Sequence, residues 1–429
     1  MKRSIAAAVG AATLSALLLT GCGSGDSSGG SDDKTLTLAG WSLATTPEFK
    51  VLADGFHATH PDITVELKEY DAKNYDTQMV ADLAAGKAPD VYVQKNLKNF
   101  YTYQSGKQLL DVSDVAVTGA STDAYKVDGK TWAVPYRQDS WVLFYNKALF
   151  DEAKVKYPDG SWTWDDYATA AKQLTTGLKA ANSKALGVYE HTWQSTLQGF
   201  ALAQSPGASL ESADYAFLKP YYTHAVDLQN AGAQVKLGDA TTNSLTYQAQ
   251  FGKQQAAMMT MGTWYIATLL SQQTSGDADK FEWGIAPVPQ LDESTTGTSA
   301  TPVTFGDPTG LGINPKISEG KIETAKAFLA YASGADAAKA LAGIGITPAN
   351  TDSATTDAFF SVAGVPGDDV SKFAFAKHDT KPENPVSKYT APLQNILNDL
   401  HTAVLSGTKD IDTAIAEAQE RAKNEVLNK

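Results

Sequence analysis

Lys130-Thr131-Trp132-Ala133-Val134-Pro135-Tyr136-Arg137-Gln138-Asp139-Ser140-Trp141-Val142-Leu143-Phe144-Tyr145-Asn146-Lys147 is the stretch on which the reading of this chain turns. Its two ends, Trp132 to Tyr136 and Trp141 to Tyr145, are aromatic and β-branched and read as strands. Between them Arg137, Gln138 and Asp139 interrupt an otherwise apolar run. A buried charge without a partner costs several kcal/mol, so these groups either pair with one another or face a space where something else pairs with them.

Working outward, the chain of 429 residues is too long for one compact core, and two lobes are expected. The balance of 35 basic against 48 acidic residues argues against nucleic acid and anionic membrane surfaces as partners. Lys2 and Arg3, followed by the apolar run Ile5 to Leu19, have the form of a targeting segment. That run is shorter than the roughly 20 residues of a membrane span. Leu19-Thr20-Gly21-Cys22 resembles the lipobox of bacterial lipoproteins, which implies cleavage before Cys22 and a lipid anchor on it. Cys22 is the single cysteine, so an intrachain disulfide is impossible. From Gly23 to Asp33 the composition is Gly, Ser and Asp, a tether that builds no core.

The folded part is expected from Thr35, with strands at Thr35–Trp41, Ile63–Leu67 and Ala88–Val93. Helices at Pro47–Thr59 and Tyr75–Ala85 alternate with them, the second closed by Gly86. This rhythm predicts a parallel sheet with helices on both faces. Ligands of such sheets bind at the C-terminal ends of the strands, which points to Trp41 and Ser42 after the first strand and Gln94 after the third. Thr163 with Asp166 reads as a capping box for a helix running to about Lys179.

Val134-Pro135-Tyr136, Asp139 and Tyr145-Asn146-Lys147, followed by Leu149-Phe150 and Trp162-Thr163-Trp164-Asp165-Asp166, together resemble the extracellular solute-binding proteins of ABC importers. More narrowly, the chain is similar to the family that includes maltose-binding protein. Phe251-Gly252-Lys253-Gln254-Gln255-Ala256-Ala257-Met258-Met259-Thr260-Met261-Gly262-Thr263-Trp264 and the strand at Phe281–Pro289 extend the likeness in matching order to the C-terminus. Asp307-Pro308 departs from the paired glycines that relatives carry there. The resemblance implies an α/β, two-lobed periplasmic-binding-protein fold with a hinge and a central ligand cleft. It divides the chain into a signal peptide (1–21), a lipidated tether (22–34), a first lobe (35–138 plus 303–350) and a second lobe (139–302 plus 351–429).

Site candidates follow from the chemistry of sugar recognition. A pyranose ring presents a flat C–H face that stacks on aromatic side chains, while its hydroxyls reach Asp, Glu, Asn, Gln and Arg. Trp41, Trp193 and Trp264 each sit in a loop after a strand or glycine-bearing turn, as stacking requires. Trp132, Trp141 and Trp283 lie inside predicted strands and read as core, and Trp162 and Trp164 as packing at a helix start. Tyr136, Arg137 and Asp139 line the crossing, with Arg137 alternatively bracing Asp139. The resemblance implies a ligand-binding carboxylate at Asp139 and a ligand-side aromatic at Tyr389. Asp90 either contacts ligand or caps its strand, and Asp307 completes the set.

The six histidines show no metal-ligand spacing, and neither a phosphate loop nor a nucleophile elbow is present in the sequence. The expectation is therefore no metal, no cofactor and no chemistry. The resemblance implies a monomeric, lipid-anchored protein on the outer face of the cell membrane. It would capture an oligosaccharide by lobe closure and hand it to an ABC permease. Rival readings are a solute-binding protein for a peptide or polyamine, a secreted glycosidase built on a carboxylate pair, and an adhesin.

Overall fold

Residues 33–429 are described by a computed structural model. The segment 1–21, Cys22 and nearly all of the tether lie outside the described residues.

Two sheets carry the architecture. In the first, Thr64–Tyr70, Thr35–Trp41 and Val91–Gln94 run parallel, and Pro308–Ile313 lies antiparallel between Val91–Gln94 and Val134–Gln138. In the second, Trp141–Asn146 is antiparallel to both Trp283–Ala286 and Ala256–Gly262, and Leu186–Val188 pairs parallel with the latter. Each sheet has its own core. Leu36, Leu38, Phe49, Leu52, Val91, Val93, Leu311 and Phe328 belong to the first. Phe144, Leu174, Phe200, Met258, Ile285 and Leu397 belong to the second. Strands buried on both faces read as continuous apolar runs, as Trp141–Asn146 and Ala256–Gly262 do.

Local signals explain the helix limits. Asn96 and Asn146 cap their helices by accepting from Asn99 N–H and Leu149 N–H. Thr163 and Asp166 form a reciprocal capping box for the helix Trp164–Ala180. Gly86, at φ 69°, ends Tyr75–Ala85 in the left-handed conformation.

The chain passes between the lobes three times. The first crossing is Asp139-Ser140, between a strand of each sheet. In the second, Val303–Phe305 pairs with Asp379–Lys381 and Phe305 packs in the second core, so the passage falls at Gly306-Asp307 rather than before residue 303. At the third, Pro348 bridges to Arg137 and Ala349 N–H donates to Tyr136 O at 3.0 Å. The first two touch: a Cβ on Gly306 would stand 2.1 Å from the Asp139 carbonyl oxygen, so only glycine fits.

Candidate functional site

At the first crossing a polar knot spans both lobes. Glu48 starts the helix Glu48–Thr59 and is fully buried. It pairs with the Arg137 guanidinium and accepts the Tyr136 hydroxyl at 3.4 Å. Arg137 Nε lies 2.8 Å from Asp139 Oδ2, and Thr263 Oγ1, from the second lobe, donates to Asp139 Oδ1 at 2.9 Å. Thr263 N–H also donates to Ser140 O at 2.9 Å. Burial raises the carboxyl pKa of Glu48 and of Asp139 above its ordinary value, and Arg137 opposes that rise in both. Burial alone would lower the Arg137 pKa, but Asp139 and Glu48 outweigh it and hold the cation above its ordinary range. The arginine braces the two carboxylates, and its charge is committed within the protein.

Beside the knot stands an aromatic wall from the second lobe. Trp264 follows Thr263 directly and is half-buried, edge-on to Trp141 at 5.5 Å. Its ring covers Gly262, where a Cβ would come within 1.8 Å of the indole; the glycine before the tryptophan makes room for the ring. Trp193 is 42% exposed and packs edge-on against His191 at 4.5 Å and Tyr247 at 5.7 Å, with Trp264 at 6.5 Å. Burial pushes the Tyr247 hydroxyl up to about 12 and the His191 imidazole down to about 4, so both are neutral at pH 7. Thr263, which donates to Asp139, directly precedes Trp264, and this sets the wall and the knot side by side.

The other candidates lie elsewhere in the fold. Trp41 is only 8% exposed, wedged edge-on between Phe49 and Tyr75 at 5.1 Å each, with Lys95 Nζ 5.0 Å over its ring. It is a core residue rather than an open platform, and so differs from the expectation. Ser42, at φ 51°, forms a turn whose carbonyl accepts Thr45 and Thr46 N–H. Asp90 precedes its strand and accepts Thr37 N–H at 2.8 Å and Thr37 Oγ1 at 3.0 Å, with Lys321 Nζ at 3.4 Å. It braces the opposite end of the sheet from Gln94. Gln94 is fully buried, its amide against Gly312. Tyr136 is buried against Glu48.

Asp307 is 9% exposed and accepts Leu97 N–H, Glu383 N–H, Asn384 N–H and Asn384 Nδ2 at 2.9, 2.9, 3.2 and 2.9 Å. With four donors its acceptor capacity is taken up by the protein itself. Tyr389 precedes the helix Thr390–Leu405, half-buried beneath Lys388 Nζ at 4.6 Å. Among the tryptophans read as core, Trp141 and Trp283 are 2% and 5% exposed.

Sequence reasoning missed Glu48, Thr263, His191 and Tyr247. An acidic residue after Pro47 reads as a partner for the helix dipole, and nothing local says that it is buried against Arg137, 89 residues away. Thr263 stands inside the Phe251–Trp264 motif but carries no signal of its own, and neither does Tyr247. A surface pocket of about 500 Å³ lined by Thr163, Trp164, Tyr221, His224 and Leu291 shares no residue with the knot or the wall. Among the described residues no group of three His, Cys, Asp or Glu is placed to hold a metal ion. Among them, too, no helix is long and apolar enough to cross a membrane.

Comparison with known proteins places this geometry. The crystal structure of a sugar transporter from Rhizobium etli, in an open conformation, is 28% identical with a TM-score of 0.75, covering 91% of this chain and 99% of that one. An ABC substrate-binding protein from Listeria monocytogenes in complex with cycloalternan is 21% identical at the same TM-score, covering 91% and 98%. The arabinooligosaccharide-binding protein of Bacillus subtilis is 22% identical over 75% of this chain and 74% of its own length. An uncharacterised lipoprotein from Streptomyces antibioticus is 29% identical, but the match spans only 37% of each protein. The first three of these are named as binding or transport proteins rather than enzymes, and the two solved structures share the two-lobed architecture. The family model of bacterial extracellular solute-binding proteins matches residues 40–339, well over half of the chain, and the protein belongs to that family.

Proposed function

We propose that this protein is the carbohydrate-binding component of an ABC import system, held at the outer face of the cell membrane through a lipid on Cys22. A neutral oligosaccharide binds between the lobes and stacks on Trp264 and Trp193, beside the knot that Asp139 closes. Closure about the three crossings then desolvates the sugar and presents both lobes to the permease. The protein acts as a monomer and performs no chemistry on its ligand.

The observation that carries this reading is the half-exposed aromatic wall beside a knot whose cation is already neutralised. A peptide terminus needs a charged partner at the site, and Arg137 is committed to two carboxylates. A polyamine needs several carboxylates, and the two here are committed to Arg137. A neutral polyhydroxyl ligand with flat apolar faces fits what is left. The sugar ligands named for relatives, arabino-oligosaccharide and cycloalternan, point the same way. A thermal-shift screen against neutral oligosaccharides, short peptides and polyamines tests it. A rise in melting temperature confined to peptides or polyamines overturns the sugar reading, and release of shorter products from an oligosaccharide overturns the non-enzymatic one.

A further inference from the structure

A buried hydrogen-bond relay runs from the first lobe, through the second crossing, to the loop that carries Trp193. It starts at Leu97, first residue of the helix Leu97–Ser105, whose N–H donates to Asp307 Oδ2 at 2.9 Å. Asn384 Nδ2 donates to the same oxygen at 2.9 Å. Asn384 Oδ1 in turn accepts Gln394 Nε2 at 3.2 Å, and Gln394 Oε1 accepts Gln194 Nε2. Gln194 follows Trp193 directly and leads into the helix Ser195–Gln204. Asp307, Asn384 and Gln394 are 9%, 3% and 7% exposed.

A second contact holds the same loop: Gln194 Nε2 also donates to Gln394 O at 3.2 Å. Gln194 is thus held from below, and Trp193 beside it is the exposed side chain. A buried amide left without its partner costs about 1–3 kcal/mol, so each amide in the series fixes the orientation of the next. The series crosses the lobe boundary, because Leu97 packs in the first core and Gln394 sits on a helix of the second.

We propose that Asp307, Asn384 and Gln394 are positioning residues that set Trp193 against the ligand and couple its placement to the seating of the first lobe's helix on the second crossing. For the ligand the inference rests on the saccharide reading above; for the placement of Trp193 it stands without it. It also gives Asp307 a role: it contacts no sugar but orients a residue that does.

The test uses the full chain labelled with 5-fluorotryptophan. The Trp193 fluorine resonance is assigned by its loss in Trp193→Phe, and Trp283, buried in a distant strand, serves as internal control. Gln394→Leu and Asn384→Leu each cut the relay, and Gln194→Leu, at a half-buried position, cuts its last link if the buried variants do not fold. The expected result is a shifted or broadened Trp193 resonance in the ligand-free protein while Trp283 stays in place. A Trp193 resonance unchanged in position and width in the folded variants overturns the proposal.

A double-mutant cycle gives the second arm, with whichever oligosaccharide binds the wild type. Gln394→Leu should weaken binding about 5- to 30-fold in the wild-type background and less than about twofold in Trp193→Ala. Equal losses in both backgrounds mean an independent structural effect and contradict the coupling. A wild type that binds no saccharide removes the functional reading alone, and the fluorine arm still decides the relay.

Discussion

Replacing Arg137 by methionine tests the polar knot most severely. Methionine keeps the apolar stem and removes the cation, so the carboxylates of Glu48 and Asp139 stay buried, at 0% and 4% exposure, without their shared partner. Stranding a charge by removing one member of a buried pair costs about 3–5 kcal/mol. At about 2–4 °C per kcal/mol for a domain of this size, the melting midpoint should drop by roughly 6–20 °C at pH 7.5. The sign of the pH dependence is fixed. Burial already raises both carboxyl pKa values above 4.5 and 3.8, and loss of Arg137 removes the influence that opposes the rise. The folded variant therefore holds protons that the unfolded chain has released, and its stability falls as pH rises through that window. The deficit should be largest at pH 7.5 and shrink toward pH 4.5. Calorimetric melts of both proteins across that range check it. A variant within about 2 °C of wild type at pH 7.5, or a deficit independent of pH, would refute the reasoning.

Other expectations concern single side chains. Trp264→Ala should cost about 2–4 kcal/mol of binding, a 30- to 1000-fold rise in Kd, read by calorimetry. Its ligand-free stability should fall by less than the roughly 3–5 kcal/mol of a fully buried tryptophan, because the ring is only half-buried beside Trp141. Glu190 is 8% exposed and burial pushes its carboxyl up to about 7, from 4.5. Its protonated form is the one the fold favours, so stability is greatest below pH 4.5 and declines as pH rises through 7, by about 3 kcal/mol at ~1.4 kcal/mol per pKa unit. Glu190→Gln should accordingly melt higher than wild type at pH 8 and level with it at pH 4.5; equal midpoints at pH 8 would contradict the assignment. Cys22→Ser should move the protein out of the membrane fraction, since an apolar signal does not replace a diacyl anchor.

The alternation of strands and helices was legible because each element carries its own signal. Gly86 closes its helix in the left-handed conformation, Thr163 and Asp166 cap theirs, and the apolar runs on both sides of Arg137 are strands of two different sheets. The loop positions of Trp193 and Trp264 follow from the strands before them, and the structure sets the two rings 6.5 Å apart. Trp41 occupies the same kind of position, yet the strand-end rule says only where a loop starts and not which way its side chain turns; here Phe49 and Tyr75 enclose it. Asp90 takes the capping role weighed beside ligand contact, whereas Gln94 and Asp307 differ from the expectation for want of a local sign of their surroundings. The contacts of Asp90 and Asp307 lie 53 and 210 residues away, with Thr37 and with Leu97, and Gln94 is fully buried. No periodicity encodes such pairings. The same distance hid Glu48, whose acidic side chain at a helix start had a sufficient local explanation.

Isothermal titration of the wild-type protein, Trp264→Ala and Trp193→Ala against a panel of neutral oligosaccharides bears most directly on the central claim, that a sugar stacks on the aromatic wall beside the knot. The account predicts saturable one-to-one heat from at least one saccharide, with a matching change in tryptophan emission, and affinity lost in both variants while their folds persist. Saccharide binding that survives unchanged in both variants, or saturation by a peptide or polyamine with no saccharide response, would contradict it.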